Sequence, residues 1–166
     1  MFRLFILAIL CLMLHNSCGI YTLSGASISK EVKTAEVPYF QNRALVVQPM
    51  LSRELTEKLK DKIQSQTSLK LVNESGDVQF VGEISNYVVT PAAITGDNVA
   101  AKNRLTITVK VKFTNSKESQ FDFESSFSRY ADFNSNLSID AVETDLIKEI
   151  GDLLVEDIFN KAFVNW

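Results

Sequence analysis

The chain has 166 residues, with 17 basic and 20 acidic side chains and a formal net charge of −3. This mildly acidic balance excludes nucleic-acid binding as the main activity. Its one histidine (His15) and two cysteines (Cys11 and Cys18) all fall within the first 18 residues, so the rest of the chain has no zinc ligand set and no Ser-His-Asp or Cys-His nucleophile pair.

Arg3 precedes an apolar run from Leu4 to Leu14, followed by a short polar end with Ser17 before Cys18. A bilayer span needs about 20 apolar residues, whereas the core of a secretion signal needs roughly 7–15. Residues 1–17 are therefore expected to be a removed signal peptide. Cys18 then becomes the first residue and the lone cysteine, placed to take a diacylglycerol group; a coincidental free thiol is the bland alternative. His15 departs from the Leu usual three positions before a lipidated cysteine. Residues 18–27, "CGIYTLSGAS", suit a lipidated N-terminus and short tether. Residues 28–166 are expected to form one domain.

The segment "SISKEVKTAEVPYF" alternates at Ile28 and Val32, then again at Val37 and Tyr39, which predicts a strand with a bulge or break. Pro38 points to an edge position. In "QPMLSRELTEKLKDKIQSQTS", Leu51, Leu55, Leu59 and Ile63 recur every fourth residue, giving a helix with one buried stripe and Pro49 in its first turn. Opposite lie Glu54, Glu57, Lys58, Lys60 and Asp61. After "LKLV" and the turn "NESGD", the β-branched and aromatic run "VQFVGEISNYVVT" reads as a strand ending at Pro91.

"TPAAITGDNVAAKN" is small and unpatterned, a long loop. "RLTITVKVKF" alternates strictly: Leu105, Ile107, Val109, Val111 and Phe113 share one face, and Arg104, Thr106, Thr108, Lys110 and Lys112 the other. "QFDFESSFSRY" repeats the pattern with Phe121, Phe123 and Phe127. A hairpin with Phe113 opposite Phe121 sets Lys112 against Asp122 and Lys110 against Glu124. The last segment, from Ser138, is a long helix. Asp140 and Glu143 have capping-box spacing. Leu146, Ile150, Leu153, Leu154, Ile158 and Ala162 form its stripe, and Trp166 could close the rim of the core.

The predicted fold is α+β, a two-layer sandwich with two helices on one face of a roughly four-stranded mixed sheet, in the order strand-helix-strand-strand-strand-helix. Carboxylates in "ETDLIKE" and "LVEDIF" have the spacing of a solvated helix face. No cofactor or metal is expected, and the pattern argues against an enzyme.

The stretches "CGIYTLSGASIS", "PYFQNRA", "LTEKLKDK", "GDVQFVGEISNYVVTPAAI", "NRLTITVKVKFTN", "SFSRYADF" and "LVEDIFNKAFVNW" resemble the LptE family of lipopolysaccharide-assembly outer-membrane lipoproteins, most closely members from the Bacteroidota. The likeness covers most of the chain after residue 17. It implies a lipid-anchored domain that plugs an LptD-type β-barrel and assists delivery of lipopolysaccharide to the cell surface. It also implies contact with lipopolysaccharide itself in some members. Gly19 in place of Asp after Cys18, with no acidic run following, fits the periplasmic face of the outer membrane.

For such a plug, the loops "TPAAITGDNVAAKN" and "TNSKESQ" are candidate barrel contacts, with ordinary exposed turns as the alternative. Lipopolysaccharide carries phosphates, so cations are the natural contacts. Lys110 and Lys112 are spoken for by the predicted acidic partners. Lys102 and Arg104, with no obvious acidic partner, are the candidate ligand-binding residues. A periplasm-facing lipoprotein module of another envelope complex is the alternative function, and a carboxylate-based hydrolase a third.

Overall fold

The computed structural model describes residues 28–92 and 102–164. Its elements are β1 (Thr34–Glu36), β2 (Gln41–Asn42), α1 (Pro49–Gln66), β3 (Lys70–Val72), β4 (Val78–Pro91), β5 (Lys102–Asn115), a 3-10 turn (Ser119–Phe121), β6 (Phe123–Asn134) and α2 (Ile139–Phe163). The sheet runs β3-β1-β4-β5-β6, with β2 also paired to β4. The architecture is therefore α+β, two helices packed against one face of a mixed, open, six-stranded sheet.

Two short strands extend the expected sheet. β2 and β3, of two and three residues, are too short to show alternation. β1 and β2 pair parallel to successive stretches of β4, Ala35 opposite Val78 and Gln41 opposite Glu83. They are one strand with a break. Pro38 sits in the break, where no ladder donor is needed. β3 covers the outer side of β1 as far as Glu36, while β2, after Pro38, pairs only with β4 and lies at the edge of the sheet. Within the break, the Ser52 hydroxyl donates to the Phe40 carbonyl. The Phe40 ring lies flat on Gly82, where an added Cβ would come within 2.5 Å of it.

β5 pairs with both long neighbours and its apolar face, Leu105 to Phe113, is fully buried. Leu51, Leu55, Leu59 and Ile63 of α1, which packs against β2, β3 and α2, are also fully buried, and α2 lies over β5 and β6. Each such side chain contributes about 1.5–3 kcal/mol relative to exposure. At one end, Phe80, Phe113 and Phe163 meet, with ring centroids 4.8 Å apart for Phe80–Phe113 and 5.7 Å for Phe80–Phe163. All the buried apolar side chains belong to one core. Trp166, the expected rim closer, lies outside the described residues.

Three details differ from the expectations. The β5–β6 register is shifted by two residues: Phe113 faces Phe123, and Lys112 faces Glu124. The 3-10 turn takes up Phe121, and Asp122 accepts the Asn115 N–H at 2.7 Å, closing the hairpin ahead of the ladder. A two-residue shift keeps every side chain on its face, so alternation alone could not detect it. The capping box is absent: Ser138 is the N-cap, Asp140 lies within the first turn, and Glu143 is drawn into a tertiary contact. Leu153 is exposed at 42%, while Ile147, Val155, Phe159 and Phe163 join the buried face instead. The stripe of α2 is set by its contacts with both α1 and the sheet.

Candidate functional site

The ends of β4 and β6 and the starts of β5, α1 and α2 lie at one end of the sheet. Gln48, the N-cap of α1, donates from Nε2 to a Glu143 oxygen on α2 at 2.6 Å. The Tyr87 hydroxyl on β4 donates to the other Glu143 oxygen. Burial, first, and the carboxylate beside it hold the Tyr87 hydroxyl well above the usual phenol range. Glu143 thereby ties the first turns of both helices to the central strand.

Above this tie the surface is apolar. Leu45 is fully exposed, and Val46, Val47 and Met50 are exposed beside it. Leu137 in the turn before α2 and Val88 and Val89 near the end of β4 are also exposed, the two valines on opposite faces of the sheet. The backbone that carries the first group is fixed: Arg43 N–H donates to the Ile84 carbonyl at 2.9 Å, and Asn42 accepts the Ala44 N–H at 3.1 Å. The sequence signal for it is the unpatterned apolar run "ALVV" directly before a helix, which periodicity does not register.

The two candidate cations open β5 at the same end. Lys102 is exposed. Arg104 does have an acidic partner, contrary to the expectation: it sits directly opposite Asp132 and bonds it twice, Nε to Oδ1 at 2.7 Å and Nη2 to Oδ2 at 2.9 Å. Its guanidinium also stacks 3.6 Å from the Tyr130 ring centroid. The predicted register places Tyr130, not Asp132, opposite Arg104, and the two-residue shift is what supplies the carboxylate. The Arg104 bond holds the Asp132 carboxyl below its usual range, and the same bond raises the Arg104 guanidinium.

Elsewhere on the open sheet face, around exposed Val81, polar side chains are paired with one another. Lys110 is joined to Glu124, Arg43 to Glu83 at 3.1 Å, and Thr108 to Ser128 at 3.0 Å. Of the two candidate barrel loops, residues 93–101 of the first lie outside the described residues. The second carries Lys117, paired with Asp77 at 3.2 Å. Cys18, the candidate lipidation site, also lies outside the described residues. Among them, no group of three His, Cys, Asp or Glu side chains could hold a metal ion, and no helix is long and apolar enough to cross a membrane.

The described residues thus form a two-layer α+β domain with an exposed apolar tip at Leu45 to Val47 and cations at the start of β5. A family model of lipopolysaccharide-assembly proteins, LptE, matches residues 32–162, and the chain belongs to that family. No curated protein matches it. Among solved structures, it is similar to a minor lipoprotein from Acinetobacter baumannii (14% identity, TM-score 0.51, covering 79% of this chain and 92% of that one). It is also similar to a hypothetical protein from Chlamydia trachomatis (10% identity, TM-score 0.55, 81% and 98%). A neuraminyllactose-binding hemagglutinin homolog from Helicobacter pylori is a third (10% identity, TM-score 0.52, 85% and 88%). At these identities the likeness is one of fold.

Proposed function

We propose that this protein is a lipid-anchored plug and assembly factor for an LptD-type β-barrel, acting without catalysis at the periplasmic face of the outer membrane. Cys18 carries the anchor in this reading. The observation that carries it is the match to the LptE family over residues 32–162, and the exposed apolar tip Leu45 to Val47 and the cations Lys102 and Arg104 that open β5 support it. Lipopolysaccharide pairs phosphates with acyl chains, and a surface that presents both cations and exposed apolar side chains offers a match to each half of such an amphiphile. Lys102 is the freer phosphate contact, because Arg104 already holds Asp132.

Affinity purification of the detergent-extracted protein tests the assembly role. Recovery of a large outer-membrane barrel supports it, and recovery of a different stable envelope complex would replace it with the module reading. For the ligand role, the pair Lys102→Glu with Arg104→Glu is expected to weaken lipopolysaccharide binding at least tenfold. Unchanged binding and unchanged barrel recovery would remove both residues from the site. Mass spectrometry of the mature N-terminus tests the anchor: an unmodified thiol at Cys18 rules it out.

A further inference from the structure

The residues before α1 form a loop that Asn42 closes with its own side chain. Its Oδ1 accepts the Ala44 N–H at 3.1 Å, and its Nδ2 donates to the Gln48 carbonyl at 3.2 Å. One amide carries both bonds, and only this orientation of it suits a donor and an acceptor together. Leu45, Val46 and Val47 stand between the two bonded residues, all exposed. Each end of the loop is also fastened to a neighbouring element. Ahead of it, the Arg43 N–H bonds the Ile84 carbonyl of β4, and Ala44 is buried. Behind it, the Gln48 side chain reaches Glu143 of α2 at 2.6 Å.

Glu143 is itself held. Its second oxygen accepts the hydroxyl of Tyr87, which is buried on β4. Support thus passes from Tyr87 to Glu143, to Gln48 and to the loop, with Asn42 closing it from the other side. Apolar side chains gain by leaving water, so a loop free to move would turn them against the domain. The fastenings keep three in a row facing outward. A loop ordered beforehand also loses less conformational freedom when a ligand binds it.

We propose that Asn42 and Glu143 are positioning residues, holding Leu45, Val46 and Val47 preformed for the acyl part of an amphiphile. This rests on the reading of the tip as a lipopolysaccharide contact. It adds that the contact is governed by two polar side chains that act through the loop and not on the ligand. Freeing the loop then weakens binding although every apolar side chain is still present.

Amide exchange and binding of purified lipopolysaccharide test this together. Asn42→Ala and Glu143→Ala are each expected to speed exchange at residues 44–48 about tenfold and to leave residues 105–113 of β5 unchanged. Both are expected to bind lipopolysaccharide about fivefold more weakly. Glu143→Gln is expected to bind like the parent, since its amide oxygen still accepts from Gln48 and its amide N–H can donate to the Tyr87 hydroxyl oxygen. In a triple variant, Leu45→Ser with Val46→Ser and Val47→Ser, adding Asn42→Ala is expected to change binding no further. Unchanged exchange in both alanine variants overturns the fastening. Faster exchange with undiminished binding overturns the positioning role, and weak binding by the triple variant then leaves the reading of the tip intact. A triple variant that binds like the parent removes the tip from the ligand site and the positioning role with it. A loss from Asn42→Ala that persists in the triple variant marks general damage and overturns the role as well. Where an alanine variant does not fold, Asn42→Asp decides, since it keeps the acceptor for Ala44 and gives up only the bond to Gln48.

Discussion

Thr56 on α1 holds the backbone of Phe40 in the break between β1 and β2. Its hydroxyl oxygen accepts the Phe40 N–H at 3.1 Å and donates to the Ser52 carbonyl at 2.7 Å. With Ser52 bonded to the Phe40 carbonyl, α1 supplies both partners that the interrupted ladder withholds. Thr56 is fully buried, so Thr56→Val keeps the shape and strands a buried N–H. The loss is expected to be about 1–3 kcal/mol by chemical denaturation, with the denaturant slope unchanged.

Gly82 is the other half of that contact. A Val at this position would drive its side chain into the Phe40 ring, which is itself buried between β4 and α1. Gly82→Val is expected to destabilise by about 1–3 kcal/mol, and the double variant with Phe40→Ala should recover part of it. Strict additivity of the two substitutions would show that the ring and the glycine are not in contact.

The hairpin register can be read by mutation. Exchanging the charges of Lys112 and Asp122 is expected to yield no coupling, since Asp122 caps Asn115 and does not face Lys112. Exchanging those of Lys110 and Glu124 is expected to show a small favourable coupling that fades with salt. Thermal unfolding of the single and double variants distinguishes the two.

Asp77 gives a pH dependence. Its Oδ2 accepts the N–H groups of Lys33 and Thr34, at 2.9 and 3.0 Å, fastening the start of β1 to the start of β4. The Lys33 bond, first, lowers its carboxyl from 3.8 to about 2. A depressed carboxyl stabilises the fold above its unfolded value, and that contribution is lost as pH falls from near 4 through 2. Asp77→Asn is therefore expected to lower the melting temperature at pH 7 and to make little difference at pH 2. A gap that persists at pH 2 would place the effect in packing rather than ionisation.

What the sequence disclosed follows from the length of each signal. Leu105 to Phe113 alternates over nine residues and could be nothing but a half-buried strand. The fourfold spacing of Leu51 to Ile63 was equally plain. Asn42 and Leu71 sit in strands too short to carry any period, and their place in the sheet comes from partners elsewhere in the chain. The pairing of Arg104 with Asp132 was hidden for a different reason. Lys110 meets Glu124 directly in the predicted register and diagonally in the observed one, so the charge pattern is compatible with both, and the short turn that decides between them has no apolar signature. The tip at Leu45 was invisible to pattern because exposed apolar residues break the rule that patterns rest on.

The broken strand β1–β2 also bears on the order in which the fold closes. β4, β5 and β6 follow one another and join by antiparallel neighbours, so their pairing requires little chain closure. β1 must instead find β4 in parallel across a separation of 43 residues, marked by the Thr34–Asp77 bond, and β3 can join the sheet only through β1. Distant parallel pairing is slow to form. In a chain emerging from its N-terminus, the first strand made is thus expected to be among the last seated. Until then, the inner flank of β4 stays open while the meander beside it is already in place, and pulsed amide exchange during refolding would show that lag between the two halves of the sheet.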